Sequence, residues 1–308
     1  MTAAVQDLSV ALGFPAGSRL LIAHQDDVAM CHGANTAFAE LAGRGVVTCG
    51  SAMVPCPWFR ELVGIAARDP RVDIGVHLTL TSEWAHYRWR PISTTSRASG
   101  LIDPDGYMWR SVPKLRAHMV VDAVEQELRA QIDAALAAGL DVSHLDAHMG
   151  AALVPELVGL YLQLGLDYGL PVLFPRHVDQ YFSVLECGPV DRSVYVEALG
   201  RLSDHGMPAV DYFCMTPGVP TEDCETAYMS LVRAAPPGLT FMALHCNAPG
   251  DIEAIVPDHC HWRIDEYDLF RRPDFLDWID AQEIELIGFR PIRDLWRSRA
   301  PGTAGGSG

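Results

Sequence analysis

Two periods of apolar and polar positions alternate along the chain almost from end to end. Eight short runs rich in β-branched or apolar residues, at 19–23, 48–54, 73–78, 142–146, 171–174, 209–213, 240–245 and 285–289, predict strands. Between them, 34–42, 59–68 and 121–138 carry apolar residues at i, i+3 and i+4, and 221–234 opens with Thr-Glu-Asp, a capped helix start. Such alternation implies a mostly parallel sheet with helices outside it. Eight strands favour closure, so the fold expected is α/β, a distorted (β/α) TIM-like barrel spanning residues 1–300 as one domain.

Two stretches depart from the pattern. Residues 81–118 have little periodicity but hold Trp84, Tyr87, Trp89, Tyr107 and Trp109, interleaved with Arg88, Arg90 and Arg110. They are too long for a simple connection and read as an aromatic-rich loop insertion, a lid. Residues 301–308, Pro-Gly-Thr-Ala-Gly-Gly-Ser-Gly, read as a flexible tail.

Composition narrows the function classes. With 49% hydrophobic and 20% charged residues among 308, the chain has the make-up of an ordinary α/β enzyme and not of a disordered one. The longest apolar stretch, 157–166, is interrupted by Gln163 and falls short of the roughly 20 residues a membrane helix needs. No membrane partner is expected, and the first 17 residues carry no signal-peptide pattern. Acidic residues outnumber basic ones 39 to 23, a formal charge of −16 that repels a polyanion, so no nucleic acid partner is expected. Cys31, Cys49, Cys56, Cys187, Cys214, Cys224, Cys246 and Cys260 form no Cys-x-x-Cys pair, which favours reduced thiols and a cytoplasmic location. Oligomeric state is open, a homodimer included.

The strand ends carry the chemistry. Titratable groups recur at His24-Gln-Asp-Asp27, His77, His144-Leu-Asp-Ala-His148, Arg176 and His245, at the carboxyl edge where parallel α/β folds build sites. Adjacent Asp26 and Asp27 repel unless a cation intervenes; with a metal, one carboxylate can bind it while its neighbour accepts a proton from water. Alone, the pair reads more readily as a solvated turn or a helix N-cap pair. Residues 144, 146 and 148, spaced by two, would share one strand face, and imidazole with carboxylate suits a divalent ion: Zn²⁺ first, with Mg²⁺, Ni²⁺ or Co²⁺ also compatible. Asp146 is of the kind that fixes a ligating His ring. His245 could donate a proton to a leaving amine or simply hydrogen-bond a loop carbonyl. For Arg176 an oxyanion or base-orienting contact and a plain ion pair stand level. Trp84, Trp89 and Trp109 offer flat faces to a sugar ring or anchor their loop. His259-Cys260-His261 is a poor metal cluster, because neighbouring side chains point apart. No Gly-x-Ser-x-Gly or phosphate-binding loop is present, which removes serine hydrolases and P-loop enzymes.

The string Leu20-Leu-Ile-Ala-His-Gln-Asp-Asp27, with Gly33-Ala-Asn35 and Gly45-Val-Val-Thr48 after it, resembles the opening of the YdjC-like (ChbG/HpnK) carbohydrate deacetylases, which read Asn-Ala-Asp-Asp-Phe-Gly. Gly75-Val-His-Leu78 and His144-Leu-Asp-Ala-His148 resemble that family's second and third motifs, in the same order, over roughly residues 19–296. The resemblance implies a barrel that binds one divalent metal and removes an N-acetyl group from an acetylated amino sugar or glycoconjugate. Carried over by position, it implies Asp27, His77 and His148 as ligands, Asp26 as the base that activates water and His245 as the acid. This chain departs from the pattern at His24-Gln25, at Val28-Ala29 and at Cys246-Asn247. A rival resemblance, of Ala23-His-Gln-Asp-Asp27 to the Ala-His-Pro-Asp-Asp-Glu motif of the GlcNAc-phosphatidylinositol-type deacetylases, implies an open Rossmann-like sheet instead, which a closed barrel would exclude. A silent carbohydrate-binding protein that retains the pocket is the third expectation.

Overall fold

A computed structural model describes residues 8–183 and 188–299; the expected tail at 301–308 and Cys187 lie outside them. Seven parallel strands form one sheet: β1 (Arg19–Val28), β2 (Cys49–Ala52), β3 (Ile74–Leu78), β4 (Val142–Ala147), β5 (Tyr212–Met215), β6 (Gly238–Leu244) and β7 (Glu285–Leu286). Their order is β4-β3-β2-β1-β6-β5, with β7 beside β1.

The sheet closes on itself through the segment after β4. Leu145 N–H donates to Pro171 O and accepts at its own carbonyl from Leu173 N–H, and Val210 N–H donates to Phe174 O while Arg176 N–H donates to Val210 O. Asp211 N–H then reaches Leu239 O on β6. The expected strand 171–174 therefore survives only as isolated bridges, because Pro171 and Pro175 have no N–H to extend the ladder. The eighth expected strand shrinks to Glu285–Leu286, which pairs with Leu20 and Leu21 on the edge of β1 that β2 takes over from His24 onward. Closure removes the open-sheet alternative. The expected helix at 221–234 divides into a 3₁₀ turn, Thr221–Asp223, and an α-helix, Cys224–Ala234.

Helices cover the outside of the ring, so β3 and β4 are buried along their whole length and read as continuous rather than alternating runs. Residues 81–118 are pinned to the body. The Tyr87 hydroxyl donates to Met30 O and Glu127 accepts the N–H groups of Ile92 and Ser93, while Trp89 Nε1–H to Thr81 O and Trp109 Nε1–H to Gly100 O brace the segment internally. Among the described residues no helix is long and apolar enough to cross a membrane.

Candidate metal centre and active site

The carboxyl end of β1 departs from regular pleating. Gln25 pairs with Gly50 but Val28 with Ala52, so Asp26 and Asp27 together face the single residue Ser51. This bulge cancels the usual alternation and lets two consecutive carboxylates line one cavity. Asp27 takes φ +58° and Ala29 φ +73°, left-handed conformations that strain a side-chain-bearing residue by about 1 kcal/mol. The Asn35 side chain accepts the Ala29 N–H at 2.8 Å and holds the turn, which gives the Gly33-Ala-Asn35 signature its structural purpose.

Asp27, His77 and His148 meet in the lining of that cavity. Asp27 Oδ1 lies 3.1 Å from His148 Nδ1 and 3.5 Å from His77 Nε2, and all three side chains are buried. The far nitrogens are held by carboxylates: His77 Nδ1 is 2.9 Å from Asp146 Oδ2, and His148 Nε2 is 3.0 Å from Glu83 Oε1. Asp146 also accepts the Ser51 hydroxyl at 2.9 Å. Two imidazole nitrogens and one carboxylate oxygen within 4.8 Å of one another, each ring backed by an acid, are a donor set that fits a divalent cation. Burial opposes charge on Asp27, yet Arg263, at 2.9 Å from its Oδ2, and the two histidines hold its pKa well below the usual range. Burial likewise opposes charge on His148, but Glu83 and Asp27 prevail and raise it to about 9.

Asp26 stands beside this group with its Oδ1 at 2.6 Å from His24 Nδ1. Opposite, His245 Nδ1 is 2.7 Å from the Thr216 hydroxyl, which donates to Glu266. Glu266 also accepts the Tyr228 hydroxyl and, at 2.7 Å, the His245 backbone N–H. Burial, then the Arg263 charge, presses His245 down to about 4. At neutral pH it therefore rests neutral, with Nδ1 turned to Thr216.

The cavity, about 350 Å³, is lined by these polar groups and also by Leu173, Tyr181, Phe213, Met215 and Ala243. Of the expected aromatic residues Trp84 lines the cavity, and its buried Nε1–H has no partner among the described residues. Trp89 is buried beneath it, edge-on to His148, and Trp109 stacks on His118, so both anchor the loop. Arg176 is exposed, pairs with Asp211 at 2.9 Å and does not line the cavity. Glu83, Arg263 and Glu266 were not singled out from sequence. The last two share a helix, Cys260–Phe270, where they stand three apart and buried, and no motif in the sequence marks them.

A family profile described as YdjC-like protein matches residues 20–281. The chain belongs to the YdjC-like family. Among curated relatives, a carbohydrate deacetylase of Thermus thermophilus is 36% identical, covering 95% of this chain and 97% of that one. A chitooligosaccharide deacetylase of Yersinia enterocolitica is 23% identical, covering 88% of this chain and 96% of its own. A solved Enterococcus faecalis structure, described as a candidate cellobiose-phosphate cleavage protein, superposes with a TM-score of 0.71 at 22% identity, over 88% of this chain and 98% of that one, a likeness of fold. The resemblance read from the three motifs is thus borne out at the level of family and α/β fold.

Proposed function

We propose that this protein is a metal-dependent hydrolase that removes an N-acetyl group from an acetylated amino sugar or glycoconjugate. The observation that carries the reading is the convergence of Asp27, His77 and His148 on one point of a cavity that Asp26 and His245 also line. The names of the relatives, carbohydrate and chitooligosaccharide deacetylases, support the substrate class.

Asp27, His77 and His148 would hold one divalent cation, which supplies Lewis acidity toward water and the acyl oxygen. Asp26 has one carboxylate oxygen engaged by His24 and the other available to take a proton from water as its oxygen adds to the acyl carbon. The C–N bond breaks as the amine nitrogen gains a proton from His245, and acetate and a free amine leave. Because His245 rests neutral, it must take up a proton before it can deliver one, and the proton that Asp26 removes from water balances it. The apolar lining residues would disfavour water beside the acyl group, and Trp84, which lines the cavity, would offer a flat face to a sugar ring.

The test joins elemental analysis to an acetate-release screen over N-acetyl sugars. One ion per chain and acetate release are expected. Asp26→Asn should keep the ion and lose about 10²-fold or more in kcat, whereas His148→Ala should lose both. Full turnover by Asp26→Asn would remove the base assignment, and a loaded protein that releases no acetate from any acetylated amine would leave a silent binding protein.

A further inference from the structure

We infer that His24 and His144 form a hydrogen-bonded imidazole pair inside the barrel that orients Asp26, with His144 acting as a positioning residue through His24. The inference rests on the reading of Asp26 as the base.

Both rings are fully buried. His24 lies against Phe241 at 4.7 Å between ring centroids, and His144 stacks on Phe289 at 4.1 Å. Room for the second ring comes from Gly75, where an added Cβ would stand 2.5 Å from His144 Cε1. All four ring nitrogens have partners: His24 Nδ1 with Asp26 at 2.6 Å, the two Nε2 atoms with each other at 2.9 Å, and His144 Nδ1 with the Ser143 hydroxyl at 2.8 Å.

One assignment of hydrogens satisfies the chain with both rings neutral. A carboxylate only accepts, so His24 carries its hydrogen on Nδ1 and its Nε2 is a bare acceptor. With the Ser143 hydroxyl turned to His144 rather than to the buried Asp73 carboxyl that it also contacts, His144 accepts on Nδ1 and donates from Nε2. Burial and the neighbouring His24 hold the His144 pKa well below its ordinary value, in accord with a neutral ring. Without His144, Nε2 of His24 loses its donor and the Asp26 contact is left as the one bond in the chain that favours the Nδ1–H tautomer over the form that turns a lone pair toward Asp26 Oδ1. His24, His144 and Asp146 also lie close enough together to hold an ion. Their ring nitrogens are already paired with protein groups, however, and Asp146 Oδ2 serves Ser51 and His77.

The test is a long-range ¹H–¹⁵N correlation spectrum of the full chain with labelled histidine, at neutral pH. His24 should carry its proton on Nδ1 and His144 on Nε2. His144→Phe should leave His24 as a tautomer mixture and lower kcat about tenfold, with KM and bound metal unchanged. If that variant does not fold, Ser143→Ala, which removes the far donor, should give partial mixing instead. His24→Leu should lower kcat by more, again at constant KM and metal content, and His24→Asn, which keeps an N–H donor, should recover most of it. Reversed tautomers, a change confined to KM, or two ions per chain in the wild type would each overturn the inference. A fully active Asp26→Asn with the expected tautomers would instead remove the base reading and leave the pair standing.

Discussion

Glu83 touches the centre only through the far nitrogen of His148, yet its charge decides which atoms of that ring face inward. A carboxylate on one imidazole nitrogen fixes the tautomer and raises the basicity of the other. Glu83→Gln should therefore weaken metal binding about 10- to 100-fold with the fold intact, measured by metal titration of the stripped protein; an unchanged affinity would detach Glu83 from the site. Gly75 shows the same dependence in packing. Gly75→Ala would push a methyl group into the His144 ring, and a destabilisation of about 1–3 kcal/mol is expected in a denaturant titration. Such residues are hard to find by reading the chain. The motif strings mark Asp26, Asp27, His77 and His148, whereas Glu83 lies in the aperiodic 81–118 segment and reaches His148 across 65 positions.

The helix Cys260–Phe270 delivers two buried charges from one face, Arg263 to Asp27 and Glu266 to the groups around His245. Burial raises the Glu266 pKa from 4.5 to about 7, against the opposing pull of its hydroxyl and N–H donors. The folded state thus binds this proton more tightly than the unfolded chain does. The associated stability is complete below pH 4.5 and is lost as pH rises through about 7, by about 3 kcal/mol at most. Unfolding midpoints measured from pH 5 to 8 should show wild type losing its advantage over Glu266→Gln as pH increases; a gap independent of pH would mean Glu266 stays ionised throughout. The β1 bulge is the other element-scale device. Apolar periodicity locates β1, but the two-against-one register that turns Asp26 and Asp27 the same way depends on pairing with β2, which no window of β1 alone contains.

Closure of the ring is a property of the whole molecule. It rests on a thin seam where the Tyr161 hydroxyl bridges the carbonyls of Leu145 and Leu173, at 2.9 and 3.0 Å. Tyr161→Phe should destabilise the protein by about 1 kcal/mol or somewhat more in urea unfolding, because two buried carbonyls lose their common donor. No loss would show the seam to be held by its backbone bonds alone. The strand and helix periods, and the placing of His and Asp at strand ends, are local properties, so the chain by itself determined the α/β class, the order of the elements and the motifs that name the family. Tertiary structure decided what depends on contacts between distant segments. The prolines at 171 and 175 reduce one strand to bridges, Arg176 turns outward to Asp211, and Trp89 and Trp109 anchor their loop while Trp84 meets the cavity. The hydrogen-bond partners of each histidine belong to the same class, since an imidazole's working nitrogen is chosen by whatever the fold sets against the other one.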